Sequence, residues 1–389
     1  MSMLLDYANV ITPVETLKRA AVVIGDDGKI VYVGPMESAP RAHGPRLDLR
    51  GLIVAPGLID IHVHGGHGIT FGKPESLADD LIAYSNWVIE TGVTGFLTTI
   101  TASNPEELAQ VIQSMVDLFE AGLPGAQALG FHLEGPFLNP EKKGAQNPDW
   151  IRNPTIDESE LYLDAGKGWI RQMTMSPELP HANEVAALYR GAGVCLAIGH
   201  SAADYETAVH AMNGNWTHIT HTFNAQTGLH HREPGIVGGI LGSEEITAEL
   251  IADMIHVHPA AMKVLVRCLG ADRVVLVTDA MAGAGLSDGE YELLGFKLTV
   301  RDGKATQADG TIAGSTAMLN HCVRNMHDEV GIPLADAIKM ATINPARVIG
   351  ETARRGSLQV GKQADLIVVD KELNVYLTMV KGKVAFTQL

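Results

Sequence analysis

The sequence predicts an α/β protein: a (β/α)8 TIM-like barrel with a small β-sandwich domain formed by both chain termini. Three observations carry that expectation. Eight short, apolar, β-rich runs alternate with helical periodicity through the middle of the chain. Similar hairpin material stands at both ends. Six potential metal ligands or bases fall at the ends of five of the eight runs, which is where barrel enzymes assemble their chemistry.

The first fifty or so residues read as short strands with tight turns. In AAVVIGDDGKIVYVG, two β-rich runs flank Asp27-Gly28, a hairpin signal. Near the other end, ADLIVVD and VYLTMVKGKVAF read the same way, the second hinged on Lys381-Gly382. Residues 1–54 and 356–389 are therefore assigned to one small β domain, and residues 55–355 to the barrel.

Barrel strands are expected at LIDIH (58–62), GFLTTI (95–100), ALGFHLE (128–134), RQMTM (171–175), VCLAIGH (194–200), THITH (217–221), ITAELIAD (246–253) and RVVLVTD (273–279). One helix start is well marked. In SNPEELAQVIQSMVDLF, Asn104 serves as N-cap, Pro105 as first helical residue and Glu107 as return partner of a capping box. Further amphipathic segments lie near 181–191, 204–213 and 258–269. An open doubly wound sheet is the alternative arrangement of these elements. The barrel is preferred because His62 and His64 end the first run, Glu134 the third, His200 the fifth, His221 the sixth and Asp279 the eighth.

Composition narrows the function classes. At 389 residues, with 46% hydrophobic and 19% charged residues and no low-complexity block, the chain reads as globular. A net charge of −16, from 29 basic and 45 acidic residues, argues against a nucleic-acid surface. The start, MSMLLDYANVITP, lacks the basic n-region of a signal peptide, and no apolar window reaches the roughly 18 residues of a membrane span. Cys195, Cys268 and Cys322 are odd in number and far apart, as expected of a reduced cytoplasmic protein.

Within HVHGGHG, His62 and His64 lie one residue apart and in a strand would face the same side. Taken alone, such a pair leaves a metal site and an accident equally open. Joined by Glu134, His200 and His221, it becomes a set of imidazole and carboxylate ligands without cysteine, suited to zinc, iron, manganese or cobalt. A divalent ion lowers the pKa of bound water to about 7 and polarises a carbonyl. Asp279, in the Gly-rich VTDAMAGAG, is then placed to move the proton.

The segments PGLIDIHVHGG, HLEGPFLNPEKKGAQNP, GHSAADYETA, THTFNAQTGLHHREPG, IADMIHVHP, VTDAMAGAG, DGTIAGSTAML and ATINPARVIG follow one another in a way that resembles the N-acetylglucosamine-6-phosphate deacetylases of the amidohydrolase superfamily. The resemblance covers nearly the whole chain. It implies hydrolysis of the acetamide of N-acetyl-D-glucosamine 6-phosphate, with a metal-activated water as nucleophile, to D-glucosamine 6-phosphate and acetate. It also implies a homodimer acting on a small amino sugar phosphate and using a divalent metal, zinc or iron, one or two per subunit.

Carried over by motif, Glu134, His200 and His221 resemble the main metal ligands, Asp279 the general base that later acts as acid, and His256 the group that hydrogen-bonds the substrate and steadies its carbonyl oxygen. Arg232 in HREPG resembles the phosphate anchor, and a guanidinium fork suits a phosphate. Asn224 and Ala225, Ala145 and Gln146, and Ile312, Ala313 and Gly314 resemble residues lining the sugar pocket. Some members carry histidine where this chain has Gln146, and members differ at HxH, some lacking it and using one metal. Here His62 and His64 are expected to build a second metal position bridged by Glu134, because RQMTMSPEL offers no lysine for a modified-lysine bridge.

Competing readings are a deacetylase preferring N-acetylgalactosamine 6-phosphate and a cyclic amidohydrolase of the dihydroorotase or imidazolonepropionase kind. Arg232 and the missing fourth-strand lysine count against the cyclic amidases. A non-catalytic scaffold would require loss of a ligand or base, and all are present.

Overall fold

The structure, a computed structural model, describes residues 2–293 and 295–389. It opens with β1 (Met3–Ile11), β2 (Thr16–Ile24), β3 (Ile30–Pro35), β4 (Arg46–Asp48) and β5 (Ile53–Pro56). The barrel begins with β6 (Leu58–Asp60), followed by a small hairpin, β7 (Gly65–Gly66) and β8 (Ile69–Thr70). It continues with β9 (Val93–Thr101), β10 (Gln127–Glu134), β11 (Ile170–Met175), β12 (Cys195–Ile198), β13 (His218–Ile219), β14 (Thr247–Ile251) and β15 (Val274–Val277). An antiparallel insertion, β16 (Gly289–Leu293), β17 (Phe296–Arg301) and β18 (Lys304–Thr306), comes next. The chain ends in β19 (Leu366–Val369), β20 (Val375–Val380) and β21 (Lys383–Thr387).

Each barrel strand is followed by a helix. In order these are α1 (Leu77–Val88), α2 (Pro105–Ala121), α3 (Ile156–Gly166), α4 (Ala182–Gly191), α5 (Tyr205–Met212), α6 (Gly235–Gly242), α7 (Pro259–Leu269) and α8 (Leu319–Asp328), with α9 (Leu334–Met340) and α10 (Ile343–Val348) added after the last. Strands β6 and β9 to β15 pair in parallel with their sequence neighbours. The two end strands are drawn together at the top. There Val63 bridges Ala280, Asp279 N donates to His62 O at 2.9 Å, and Asp60 accepts from the Thr278 hydroxyl at 2.6 Å. All eight expected strands are present, in a barrel and not an open doubly wound sheet.

One detail of the expectation changes. Only Glu134 is the last residue of its strand; His62, His200, His221 and Asp279 follow theirs by two residues. Three of them, His200 (φ 48), His221 (φ 27) and Asp279 (φ 50), adopt the left-handed conformation. That backbone breaks the ladder, so the apolar run overshoots the paired strand. Helix α2 starts as expected at Asn104, whose Oδ1 accepts from the backbone N of Glu106 and Glu107. The capping box stays half made: the Glu107 carboxylate accepts from the Ser103 hydroxyl at 3.4 Å.

The terminal strands form one sheet in the order β21-β20-β19-β5-β1-β2-β3, with β4 beside β1. The layers of the sandwich are two parts of this continuous sheet, which curls until its edge hairpins touch. Gly28 and Gly382 both have φ +76, and a Cβ on Gly28 would lie 2.4 Å from Lys381 O. Only glycine fits there, because positive φ and close backbone approach both exclude a side chain. Leu5, Val22, Ile24, Val54, Leu366 and Leu377 share the enclosed core.

The larger core lies between the barrel and its helices, where Phe96, Phe131, Tyr162, Tyr189 and Trp216 are fully buried. Inside the barrel the character changes, since His62, His132, Gln172, His218 and Glu249 have no exposed surface. Buried polar groups cost several kcal/mol unless partnered, so their contacts matter to the site above them. Among the described residues no helix is long and apolar enough to cross a membrane.

Candidate metal centre

The left-handed backbone at His200, His221 and Asp279 turns the chain sharply at the mouth of the barrel. Such conformations cost about 1–3 kcal/mol each in a residue with a Cβ and cluster at functional sites. Two groups of ligand atoms result: Glu134 with His200 and His221, and His62 and His64 with Asp279, each within 4.8 Å of one another. Residues separated by more than two hundred positions thus meet at one end of the fold.

Glu134 stands between the groups. Its Oε1 lies 3.2 Å from His200 Nε2, 3.1 Å from His221 Nε2 and 3.4 Å from His62 Nε2, and its Oε2 lies 3.3 Å from His64 Nε2. Asp279 Oδ1 is 3.4 Å from His62 Nε2 and 3.1 Å from His64 Nε2. His200 Nδ1 donates to Lys142 O at 2.8 Å. Because a carbonyl only accepts, that bond leaves Nε2 as a lone pair in the neutral ring.

The donor set fits a divalent ion. His200 Nε2 and His221 Nε2 are 3.0 Å apart, and both face the same carboxylate oxygen. Electron-rich atoms in that arrangement repel unless a cation lies among them. Tetrahedral ligands at 2.0–2.1 Å from an ion are about 3.3 Å from each other, close to the separations seen here. His62 Nε2 is buried and makes no hydrogen bond among the described residues, as befits an atom kept for a metal.

The electrostatics point the same way. Burial alone would raise the Glu134 pKa, but His62, His200 and His221 hold it well below the usual carboxylate range. Burial likewise disfavours charge on His62, yet Glu249, Asp279 and Glu134 together raise it well above an ordinary histidine. His64, buried but bonded to Asp279 and Glu134, is pushed up to about 9. Asp279 is lowered against its burial by His62 and His64. Carboxylates that draw protons onto two buried imidazoles this strongly will also draw a metal cation.

A cavity of about 310 Å³ opens above these groups. His64, Glu134, His200, His221 and Asp279 form part of its wall, together with Ala145, Gln146, Asn224, Ala225, His256, Ile312 and Gly314. His62 lies fully buried beneath them, and Ala313 is buried in the small core under the β16–β18 insertion. Arg232 is not brought to the cavity of its own chain. The loop from Gly228 to Glu233 is exposed, and the Arg232 guanidinium lies against His231 Nε2 at 2.7 Å.

Several lining residues escaped the sequence reading. Lys142 and Glu141 belong to a quoted segment, PEKKGAQNP, but were not singled out. Leu293 and Thr311 arrive with the insertion, whose YEL and FKLTVRDGKAT hairpin pattern went unused. Glu249, buried beneath the cavity and not on its wall, was also passed over, although it stands out as a lone carboxylate within the apolar run ITAELIA.

A barrel that gathers two imidazole–carboxylate clusters over one cavity defines a metal-dependent hydrolase. The chain belongs to the amidohydrolase family, whose sequence model matches residues 53–385. N-acetylglucosamine-6-phosphate deacetylase from Bacillus subtilis (strain 168) is 35% identical, across 99% of this chain and 97% of its own length. N-acetylgalactosamine-6-phosphate deacetylase from Escherichia coli O157:H7 is 36% identical, across 86% of this chain and 88% of its own. Among solved structures, an Asp-to-Ala mutant of N-acetyl-D-glucosamine-6-phosphate deacetylase from Mycobacterium smegmatis, in complex with N-acetyl-D-glucosamine-6-phosphate, matches with a TM-score of 0.92. It is 34% identical and covers 99% of this chain and 100% of that one.

Proposed function

We propose that the protein is a metal-dependent deacetylase that converts N-acetyl-D-glucosamine 6-phosphate to D-glucosamine 6-phosphate and acetate. The observation that carries this reading is the position of Glu134 between two ligand clusters on the wall of a sugar-sized cavity. Near-full-length likeness to deacetylases of this kind supports the substrate.

Glu134, His200 and His221 would hold one divalent ion, and His62, His64 and Asp279 a second, with Glu134 shared. Zinc or iron suits these ligands, with manganese or cobalt also compatible. When bound, such an ion supplies an acidified water and a polarised carbonyl. The protein's own groups do the rest. The Asp279 carboxylate, 12% exposed toward the cavity, takes a proton from the attacking water. A C–O bond forms, the C–N bond breaks, and Asp279 returns the proton to the departing amine nitrogen. His256 lines the cavity with Nδ1 donating to Asp253 Oδ2 at 2.6 Å; Asp253 favours the protonated ring, in which Nε2 also carries a hydrogen that steadies the carbonyl oxygen.

Ala145, Gln146, Asn224, Ala225, Ile312 and Gly314 enclose the sugar, and buried Ala313 sets the backbone of its loop through a bond from its N to Ala305 O. Lys142 stands on the cavity wall, and its positive charge would suit the phosphate. Arg232, exposed together with Leu229, takes the phosphate role only if a second copy of the chain presents it, which fits a homodimer. Three unpaired cysteines accord with a cytoplasmic protein.

The test is metal analysis of protein purified without added metal, paired with acetate release from N-acetylglucosamine 6-phosphate and from its galactosamine epimer. Metal-dependent hydrolysis, abolished by chelation and restored by zinc or iron, is expected, with the glucosamine derivative preferred. Failure of the metal-loaded protein to hydrolyse either sugar phosphate overturns the reading; preference for the epimer transfers it to the N-acetylgalactosamine activity.

A further inference from the structure

Glu249 lies on β14, has no exposed surface and does not line the cavity. All its acceptor positions are used. Oε2 faces His62 Nδ1 at 2.8 Å and accepts from His221 N at 3.0 Å. Oε1 accepts from Gln172 Nε2 at 2.7 Å and faces His218 Nε2 at 3.3 Å. An ionised carboxylate is acceptor-only, with about four lone-pair sites. The ring nitrogens that face it must therefore be the protonated ones.

That requirement fixes His62. With its proton on Nδ1, Nε2 carries the lone pair and faces Glu134 Oε1 and Asp279 Oδ1, each at 3.4 Å. Nε2 makes no hydrogen bond to either carboxylate among the described residues, so it is the nitrogen free to take a cation. The same Glu249 oxygen holds the backbone N of His221, a ligand atom source of the other cluster. A neutral side chain of equal size would fill this space without the cost of a buried charge.

We propose that Glu249 is a positioning residue that commits His62 to its metal-binding tautomer and couples the second ion position to the first. The inference rests on the reading of the two clusters as metal positions. Outer carboxylate partners of metal-binding histidines commonly change affinity by about 10–100-fold when removed. In Glu249→Gln the buried charge is lost and only one of the two terminal atoms still accepts, so the four donors around the side chain are no longer all met.

The experiment is a zinc titration of metal-stripped full-length protein against a competing chelator, with metal counted after dialysis and folding checked by circular dichroism. Wild type is expected to retain two ions. Glu249→Gln is expected to retain one, with the second bound about 10–100-fold more weakly. Glu249→Asp keeps the charge but withdraws it by one methylene, and about a tenfold weakening is expected there; it also serves if the glutamine variant does not fold. Two ions held as tightly in both variants as in wild type overturn the inference, as does equal weakening at both positions. A wild type that holds a single ion also overturns it, yet leaves the deacetylase reading to stand or fall on acetate release.

Discussion

Gln146 donates its amide to Glu134 twice, to Oε2 at 3.0 Å and to the main-chain oxygen at 3.3 Å. Its own Oε1 accepts from Ala102 N at 3.4 Å. The amide group thus fixes the carboxylate shared by the two clusters while its side chain forms part of the cavity wall. Gln146→Met preserves most of the volume and removes the donors. Metal affinity and kcat/KM are both expected to fall by about 10–100-fold, as measured by chelator competition and steady-state kinetics on the sugar phosphate. A change confined to KM, with metal binding intact, would reduce Gln146 to a substrate contact.

Asp279→Asn separates proton transfer from architecture. The Asp279 main chain, which accepts from Ser315 N at 2.7 Å and donates to His62 O, is untouched. The Glu134, His200 and His221 cluster is also intact. Turnover is expected to drop by about 10²–10⁴-fold, the usual worth of general acid–base catalysis, while the folded protein still binds an ion. Turnover equal to that of wild type would remove Asp279 from the mechanism.

The Asp253–His256 pair gives a pH signature. Burial disfavours a charged His256, but Asp253 more than offsets it and raises the histidine above its ordinary value, with Asp279 helping and Lys304 opposing. A raised pKa means that the pair stabilises the fold fully below about pH 6.5 and loses that contribution as pH rises through the folded value. Asp253→Asn should therefore destabilise by about 1–3 kcal/mol at pH 6 and by less at pH 9. It should also move the alkaline limb of kcat/KM to lower pH. Denaturant melts at the two pH values and a pH–rate profile check both parts; equal destabilisation at both would detach the effect from the charge on His256.

At the opposite end of the molecule, the contact of Gly28 with the Lys381-Gly382 turn closes the terminal sheet. Gly28→Ala places a Cβ 2.4 Å from Lys381 O at a residue with φ +76. A loss of about 1–3 kcal/mol from strain is expected, read by thermal or chemical unfolding, with kcat unchanged in the folded protein. Wild-type stability would show that the hairpins do not need each other.

What the sequence displayed was local. Strands and helices were legible because their periodicities are written in neighbouring residues, and the N-cap at Asn104 needed only the next three positions. Glu134, His200 and His221 could be nominated together because a barrel brings successive strand ends to one mouth. Tertiary partners were less visible. Glu249 looks like one polar residue in a strand until four donors, two from other strands and two from the segments that follow β6 and β13, surround it. The β16–β18 insertion went unread because its alternating exposed and buried positions border no barrel strand. Lys142 gains its significance only when the loop after β10 folds back so that Lys142 O meets His200 Nδ1.

Arg232 is where local signal and position part company. Its motif resembles that of a phosphate anchor, yet the residue is exposed and absent from its own cavity wall, while Asn224 and Ala225, a few positions earlier, line it. If a second copy supplies the guanidinium, Arg232→Ala should raise KM for the sugar phosphate by about 10–100-fold, the worth of a charged hydrogen-bonded contact. The decisive arrangement mixes this variant with Asp279→Asn. In a hybrid dimer, the chain with intact Asp279 receives Arg232 from its partner, so one of the two sites is complete. With random pairing half the dimers are hybrids, and co-expressed chains should recover about a quarter of wild-type activity at low substrate. Activity no greater than the sum of the two variants alone would place Arg232 in service of its own chain or of neither.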